Sequence, residues 1–435
     1  MESLDRFSNR YVIEGDIELK TPMRIGGGQN AAMYSLSPAP VIECYDAGLG
    51  IFEPYIPGSS LKGVLRSTLE RIVRTFDESA CCVSVGDKEE GTVKNEETVL
   101  CGNESCISCR LFGSKNGGAK VRIRDAHLSD DCRAMEDRRG FLREQPHFGS
   151  PRPGTPGQMR PEESVSSGTA FRFRIDIDNG TDKEAGLIML ALLEFNEHRV
   201  HLGGGSTRGH GFCFIKKGSI TRISIVDGVI TRDKRPIKDC ISAAKVYLGK
   251  PGRRNDGERS FDRYWKVFSE PSDRFDDGHV VATLIVTCKS EFSMKGLDEP
   301  TVTNGLEPVI PGSTIKGFFR HKLEQRETNQ VIMDSIFGEL HQRGRLIVSD
   351  AWYVGKKGIG DESIPKDSPL RMFMVFDNMT RDEIGHITQF FDSKIQITGN
   401  TSAGMTRNSP GNGKNLVEIT VEKVSRFSAS EYLAG

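Results

Sequence analysis

Apolar and polar positions alternate along several short stretches of the chain, and this two-residue period predicts β-strands. One predicted strand lies at residues 11–19, and a similar one opens the second half of the chain at 280–287. Shorter strand-like runs follow at 171–177, 212–216, 371–376 and 416–421. Apolar residues at helical spacing predict amphipathic helices at 61–73, 185–195, 315–323 and 381–391. This order predicts an α+β protein with antiparallel, ferredoxin-like sheets and helices on one face.

The chain contains an internal repeat. The sequence Glu-Pro-Tyr-Ile-Pro-Gly-Ser-Ser-Leu-Lys-Gly at 53–63 returns 254 positions later as Glu-Pro-Val-Ile-Pro-Gly-Ser-Thr-Ile-Lys-Gly. Two further motifs, Leu-Phe-Gly at 111–113 and Arg-Asp-Ala at 124–126, return only 225 positions later, as Ile-Phe-Gly and Ser-Asp-Ala. The first copy therefore holds an insertion of 29 residues between its motifs. We predict a first domain over 8–234, a linker over 235–278 and a second domain over 279–427.

Both copies predict the same helix start, in which a Pro-Gly turn leads into a helix capped by serine or threonine. Free N–H groups at such a start bind phosphate readily. The two helices also repeat a lysine and an arginine at matching positions, which favours contact with a phosphate backbone. The alternative is an ordinary solvated face, where each arginine pairs with a glutamate four residues later. The candidate RNA-binding residues here are Ser59, Ser60, Lys62, Arg66, Ser313, Thr314, Lys316 and Arg320.

Two glycine-rich loops offer bare backbone for the close approach of a polyanion. The first follows the first strand and contains Gly26 and Gly27. The second lies at 203–211 and includes Arg208 and His210, while the second copy keeps little of either loop. The alternative is that both loops are simple tight turns.

A cysteine cluster lies in the insertion, which we place at 80–110. Cys101, Cys106 and Cys109 are spaced as metal ligands, and Cys81 or Cys82 offers a fourth thiolate, of which we favour Cys82. Four thiolates in a polar stretch predict a closed, structural Zn²⁺ site. The alternative is that these cysteines are unliganded small apolar residues.

A long arm at 133–168 is rich in proline and arginine and also contains Phe141, His147 and Phe148. Arginine interleaved with aromatic rings favours contact with a nucleic-acid strand by charge and stacking. The alternative is a loop without a ligand.

Composition narrows the function classes. The 59 Lys and Arg residues nearly balance 60 Asp and Glu, which argues against a wholly basic nucleic-acid coat but not against local basic surfaces. We find neither a long apolar span nor an apolar signal core at the N-terminus, so we expect a cytoplasmic protein with no membrane partner. Its ten cysteines would then stay reduced. Neither a Ser/His/Asp order nor a Walker loop is present.

Taken together, the Ile-Gly-Gly, Pro-Val-Ile, Ile-Pro-Gly-Ser, Leu-Phe-Gly, Arg-Asp-Ala and Gly-Gly-Gly-Ser-Thr-Arg-Gly-His-Gly motifs resemble those of the repeat-associated mysterious protein (RAMP) superfamily. Within it, the chain is similar to backbone subunits of type III CRISPR effector complexes, and most to the fused double subunits of the type III-D branch. The resemblance implies two tandem modified RRM domains, the first with the zinc insertion. It also implies three partners: guide crRNA, complementary target RNA and other effector subunits.

The resemblance further implies an endoribonuclease. A loop aspartate of the family that precedes a proline matches Asp298, while the matching position of the first copy is Pro38. We therefore expect the second copy alone to cut target RNA, with Mg²⁺ or another divalent ion, at nucleotides splayed by thumb-like hairpins at 133–168 and 354–369. Two alternatives stay open: a scaffold that binds RNA without cutting, and a ribonuclease that processes guide precursors through His210.

Overall fold

The computed structural model of the protein describes residues 7–27, 40–47, 50–76, 80–81, 106–114, 117–133, 142–148, 159–206, 209–226, 228–249, 279–292, 303–304, 307–338, 344–354, 363–377, 379–397 and 415–426. The strands are β1 Asn9–Leu19, β2 Glu43–Asp46, β3 Ile51–Pro54, β4 Val121–Ile123, β5 His127–Leu128, β6 Leu142–Phe148, β7 Met159–Val165, β8 Ala170–Asp178, β9 Cys213–Val226, β10 Val229–Arg235, β11 His279–Cys288, β12 Thr303–Asn304, β13 Glu307–Ile310, β14 Leu346–Val348, β15 Ala351–Tyr353, β16 Pro369–Asp377, β17 Lys394–Gln396 and β18 Leu416–Arg426. The helices are α1 Gly58–Phe76, α2 Ile107–Phe112, α3 Asp130–Arg133, α4 Asp182–Asn196, α5 Ile237–Leu248, α6 Gly312–Gln325, α7 Gln330–Phe337 and α8 Arg381–Thr388.

The described strands form two large antiparallel sheets with the same central plan. The first sheet has the order β10-β9-β1-β8-β4, and β5 also pairs with β8. The second has the order β12-β13-β15-β16-β11-β18-β17, and β14 also pairs with β16. Strand β1 therefore lies between β9 and β8, as β11 lies between β18 and β16. The predicted mixture of helices and strands in two segments is confirmed.

The helices of each unit cover one face of its sheet. A large buried apolar cluster runs from Tyr11 to Leu248, and a second runs from Val280 to Ile419. In the second cluster, Ile315 and Phe319 of α6 pack with Ala282 and Leu284 of β11. Two cores of this kind give each unit its own hydrophobic interior.

The repeat extends to the second helix of each unit, which begins with a capping box. Thr181 and Glu184 form this box at the start of α4, and Thr380 and Glu383 form it at the start of α8. A basic residue meets the box glutamate in both units. Lys120 lies 3.5 Å from Glu184, and Arg345, at the matching position, pairs with Glu383.

Helix α5 corrects the start of the linker predicted over 235–278. Its residues Cys240, Ala244 and Leu248 are buried in the first core. The helix packs closely on α4, since a Cβ at Gly186 would lie 1.9 Å from the Cys240 carbonyl oxygen. Residues 237–248 therefore form a helix of the first unit, because their apolar side chains have a core to join. The rest of the predicted linker, 250–278, lies outside the described residues.

The two units meet on the face of the second sheet that points away from its helices. Phe212, just before β9, forms a buried cluster with Val281, Ile347 and Val375 of the second unit. Because neighbouring residues of a strand point to opposite faces, Val281 lies opposite the core residues of β11. The backbone approaches closely here as well: a Cβ at Gly209 would lie 2.2 Å from the Val348 carbonyl oxygen. In the part of the chain that the structure describes, no helix is long and apolar enough to cross a membrane.

Candidate nucleic-acid interface

The two repeated motifs of each unit meet at the start of its first helix. The Gly58 N–H donates a hydrogen bond to Asp125 Oδ1 at 2.7 Å, and the Gly312 N–H donates one to Asp350 Oδ1 at 2.8 Å. Both aspartates come from the second motif, Arg-Asp-Ala in one copy and Ser-Asp-Ala in the other. The prediction of a serine or threonine cap is therefore wrong. The helices begin at glycine, so the hydroxyl residues fall inside the first turn, and a distant carboxylate caps the helix instead.

The glycine at each helix start is required by the close approach of the next strand. A Cβ at Gly58 would lie 2.3 Å from the Ile123 carbonyl oxygen, and one at Gly312 would lie 2.2 Å from that of Val348. No side chain fits at such distances. The Pro-Gly-Ser motif thus positions the helix against the strand that carries the capping aspartate.

The hydroxyl residues of the first turn lie at the surface. Ser59 and Ser313 are exposed, and Ser60 and Thr314 are half-buried. A capping carboxylate already offsets part of the positive end of each helix dipole. The binding of phosphate at these residues stays a prediction, and the N-terminal charge available for it is smaller than the sequence suggested.

The basic residues of these helices make contacts within the protein. Arg66 Nε lies 2.9 Å from Glu70 Oε1, and Arg66 Nη1 donates to the Gly113 carbonyl oxygen at 3.2 Å. Arg320 Nε lies 3.1 Å from Glu324 Oε1. These are the four-residue salt bridges of the alternative interpretation. Whether either arginine also binds RNA stays a prediction.

The two lysines of the motif occupy similar positions with different surroundings. Lys316 Nζ donates to the Leu346 carbonyl oxygen at 2.7 Å, which ties α6 to β14. Burial lowers the pKa of the Lys62 ammonium below its ordinary value, and the nearby Arg66 charge lowers it further. Lys62 therefore lies where an added negative charge would be favourable.

A glycine in the second turn of each helix packs against none of the described residues. Gly63 and Gly317 are exposed, and a Cβ at either position would find no described atom within 4 Å. Glycine inside a helix destabilises it by about 1 kcal/mol relative to alanine. Both copies of the repeat nevertheless keep it, so neither glycine is explained by the packing of the chain.

The structure brings together the two glycine-rich loops of the first unit. Arg24 forms an antiparallel bridge with Gly204, whose N–H donates to the Arg24 carbonyl oxygen at 2.7 Å. Gly26 bridges to Val41, and the Gly27 N–H donates to the Pro40 carbonyl oxygen at 3.0 Å. Separate turns in the sequence thus form one continuous backbone surface.

Two residues predicted in the second loop have different outcomes. The His210 side chain is buried, with 3% of the residue's surface exposed, and the backbone N–H of His210 donates to the Gly205 carbonyl oxygen. A buried imidazole in this position is not open to an RNA substrate. Arg208 lies outside the described residues.

The comparisons with known proteins extend over both units. The pattern of the RAMP superfamily matches residues 16–214 and 295–423. These two segments make up well over half of the chain and carry both copies of the capped helix. The chain belongs to the RAMP superfamily.

Three relatives of this RAMP protein are each named CRISPR system Cms endoribonuclease Csm3. The one from Methanocaldococcus jannaschii is 32% identical over 219 residues, which cover 48% of this chain and 80% of the relative. The one from Enterococcus italicus is 27% identical, with 46% and 86% covered, and that from Methanothermobacter thermautotrophicus is 28% identical, with 47% and 83% covered. Each relative thus aligns with less than half of this chain but with most of itself, which is consistent with a fused double subunit.

The predicted arm of the first RAMP unit contains a hairpin. Strands β6 and β7 pair antiparallel, and Met23 bridges to Val165 at the base of this hairpin. The hairpin therefore emerges beside the joined glycine loops. Residues 134–141 and 149–158 of the arm, and 355–362 of the arm predicted in the second unit, lie outside the described residues.

The predicted zinc and cleavage residues are described only in part. Cys106 and Cys109 are buried at the start of α2, and Arg66 Nη2 lies 4.0 Å from Cys109 Sγ. Cys82, Cys101 and Asp298 lie outside the described residues. The four-cysteine zinc site and the cleavage site therefore stay predictions.

A group of potential metal ligands in the first RAMP unit is not apparent from the sequence. Cys44, Glu53 and His127 bring their ligand atoms within 4.8 Å of one another. The group adjoins the helix start, since Tyr55 stacks on His127. Burial raises the pKa of the Tyr55 phenol, and the charges of Asp125 and Cys44 raise it further. Only the repeat of Glu53 drew attention to this region in the sequence.

Proposed function

We propose that this chain is a guide-RNA-binding backbone subunit of a type III CRISPR complex. The observation that carries the proposal is the doubled unit: the RAMP pattern matches both segments, and both build the same capped helix. Relatives of single-unit length named Csm3 support the complex type. When the smaller hairpins and short helices are left aside, the main elements follow the order β1-α1-β4-β8-α4-β9 in the first unit and β11-α6-β14-β16-α8-β18 in the second. This β-α-β-β-α-β order supports ferredoxin-like, RRM-like modules.

The guide strand would lie across the first turns of the two helices. Exposed Ser59 and Ser313 offer hydroxyl donors, and Gly63 and Gly317 leave room for a sugar-phosphate backbone one turn further on. A helix glycine that lowers stability and packs against none of the described residues is explained if a ligand backbone approaches it. The same contact stabilises the Lys62 ammonium, because a phosphate offsets the burial and the Arg66 charge that together lower its pKa.

In the first unit, the joined glycine loops and the hairpin would extend this surface. The Arg24–Gly204 bridge places bare backbone next to the base of the β6–β7 hairpin. Such a surface suits a polyanion, and a hairpin beside it suits the separation of one nucleotide from its neighbours. Complementary target RNA and other effector subunits complete the proposed assembly.

Cleavage of target RNA is assigned to the second unit. Asp298 precedes a proline as the family's cutting aspartate does, and Pro38 stands at the matching position of the first unit. With Mg²⁺ or another divalent ion, Asp298 would orient a target 2′-hydroxyl toward its own phosphodiester. A structural Zn²⁺ on Cys82, Cys101, Cys106 and Cys109 would hold the insertion of the first unit.

The test is cleavage by the assembled guide complex in Mg²⁺, with cut sites mapped to the nucleotide. Asp298→Ala should abolish one cut and leave the binding of guide and target intact, whereas the neighbouring Glu299→Ala should keep every cut. Products should end in a 2′,3′-cyclic phosphate, because the nucleophile is the RNA itself. An unchanged pattern for Asp298→Ala would make the chain a scaffold. The burial of His210 already disfavours a guide-processing ribonuclease that uses this imidazole.

A further inference from the structure

The group formed by Cys44, Glu53 and His127 in the first unit contains three different kinds of metal ligand. Cys44 and Glu53 are directly opposite each other in the β2–β3 hairpin, so their side chains share one face. His127 belongs to β5, which is held beside this hairpin by the bridge between Ile56 and Ala126. Backbone pairing therefore fixes all three residues, although they span more than eighty positions of the sequence.

The distances within the group fit a tetrahedral ion. Cys44 Sγ lies 3.6 Å from His127 Nδ1, and His127 Nδ1 lies 3.3 Å from Glu53 Oε1. Ligands bound to Zn²⁺ at ordinary bond lengths and tetrahedral angles have an S···N separation of about 3.6 Å and an N···O separation of about 3.4 Å. The two separations from His127 thus match those of a zinc site, and the Cys44 and Glu53 ligand atoms lie within 4.8 Å of each other.

Charge and burial also suit a divalent cation. The Glu53 side chain is 2% exposed, and a bound cation stabilises the charge of a carboxylate that is buried so deeply. One thiolate and one carboxylate together balance the charge of Zn²⁺. The His127 side chain is 44% exposed, so an ion can reach the group from solvent. The Tyr55 ring, stacked at 5.9 Å between centroids, fixes the orientation of the imidazole.

We propose that Cys44 Sγ, Glu53 Oε1 and His127 Nδ1 bind Zn²⁺, with a fourth position left to water. Sulfur and imidazole ligands favour zinc over magnesium or calcium. The ion would hold the β2–β3 hairpin to β5 beside the Asp125-capped start of α1. This site is separate from the cysteine cluster of the insertion and from the Mg²⁺ of the proposed cleavage site. The second unit lacks it, because Trp352 stands at the position of His127.

The first test counts zinc ions in the full chain. Protein freed of metal by a chelator is loaded with Zn²⁺, passed over a desalting column and analysed for metal content. Cys44→Ser and His127→Gln should each bind one ion fewer per chain than the unmodified protein. Cys240→Ala, which removes another buried thiol of the same unit, should bind as many ions as the unmodified protein. Because the comparison is a difference, any zinc held by the insertion does not affect it.

The second test needs no substitution and therefore does not depend on the folding of a variant. Alkylation of Cys44 by iodoacetamide is followed by mass spectrometry with and without Zn²⁺. A bound ion should slow the reaction about tenfold, since a metal-bound thiolate is a poor nucleophile. Equal metal content in folded variants, or equal alkylation rates with and without zinc, would overturn the proposal and leave a hydrogen-bonded Cys–His–Glu group.

Discussion

The same sheet face is built differently in the two units. In the second unit this face carries Val281, Ile347 and Val375, which Phe212 of the first unit covers. Strand register and the repeated caps align these positions with Val12, Arg122 and Asp176 of the first unit. An apolar row in one unit thus corresponds to a largely charged row in the other. The same arrangement of strands therefore presents two different surfaces. The side chains determine that the second surface is covered by another part of the chain.

The charged face of the first unit is a network of ion pairs. Asp176 accepts hydrogen bonds from Arg174 at 3.0 Å and from Arg124 at 3.2 Å, and Arg174 also pairs with Glu14 at 3.2 Å. Arg124 is well exposed, but the Asp176 side chain is only 4% exposed, so these ion pairs are partly buried. The network supplies the partners that a buried carboxylate requires, and it gives this face polar side chains.

The apolar face of the second unit is covered by rings from the first. The His198 and Phe373 rings lie 4.1 Å apart between centroids, and His198 also meets Phe212 and Phe214 edge-on. Burial of such rings contributes about 25 cal/mol per Å² of apolar surface removed from water. Contact between the units is therefore part of the fold of this chain.

We expect the largest effect when a charged residue of the first unit's sheet face is introduced at the matching position of the second unit. Val375→Asp replaces a fully buried valine with the residue type that stands at Asp176. Phe373 and Ser349 stand where Arg174 and Arg124 pair with Asp176 in the first unit, so the buried carboxylate should lower the free energy of unfolding by about 3–5 kcal/mol. Chemical denaturation followed by circular dichroism measures the loss.

A matched substitution separates position from chemistry. Val424→Asp makes the same change at a half-exposed position on β18 of the same unit, where we expect a change below about 0.5 kcal/mol. If both variants lowered the free energy of unfolding equally, the covered face would contribute no more to stability than an exposed position. The proposed difference between the sheet faces of the two units would then be wrong.

A second prediction concerns the aspartate that caps the first helix of each unit, which is buried to a different extent in the two units. Asp350 is buried, whereas Asp125 is exposed, although both cap the first helix. Asp350→Ala should lower the free energy of unfolding by about 2 kcal/mol and Asp125→Ala by about 1 kcal/mol, because an N–H left without an acceptor costs more where water cannot reach it. The corresponding asparagine variants keep an acceptor oxygen and should recover most of each loss. Thermal and urea unfolding of the four variants measure this order, and a larger loss from Asp125→Ala would contradict it.

The sequence predicted the elements of the fold well where the periodicity was long. The strand predicted at 11–19 is confirmed as Asn9–Leu19, and the helix predicted from Leu61 is confirmed within Gly58–Phe76. The repeat predicted that both units share a helix start. It did not predict the cap, because in each copy the helix start lies in the first motif and the capping aspartate lies in the second. Only the folded structure shows that the two motifs are in contact.

Contacts between distant segments explain the other misses. Cys44 and His127 are single residues in unremarkable strands, so no spacing rule joins them. The sequence predicts a linker at helix α5 because charged residues are mixed with Cys240, Ala244 and Leu248, which form its buried side. The contact of Phe212 with the second sheet likewise could not be predicted from the alternation of apolar and polar residues. That pattern predicts that one face of a strand is buried, but not which residues cover it.

The smallest change in stability is expected at the exposed helix glycine that both units share. Gly63→Ala and Gly317→Ala should each raise the free energy of unfolding by about 0.5–1 kcal/mol, because alanine favours the helix and an added Cβ meets nothing. Urea unfolding measures this gain. If the guide backbone passes over these glycines, the same variants should weaken guide binding about tenfold, or by about 1.4 kcal/mol, in a filter-binding titration.

Stability and RNA binding should therefore change in opposite directions, which no packing role for the glycines would produce. The matched control is Gly385→Ala in α8, whose added Cβ also meets no described atom and which should stabilise the protein without affecting RNA binding. A larger binding loss for Gly63→Ala than for Gly317→Ala would place the firmer guide contact in the first unit, where the Arg24–Gly204 bridge joins the glycine loops. Equal losses would mean that the repeated helix alone holds the guide, since the loop sequence of the first unit is not preserved in the second. Unchanged binding in both variants would remove the guide from these helices.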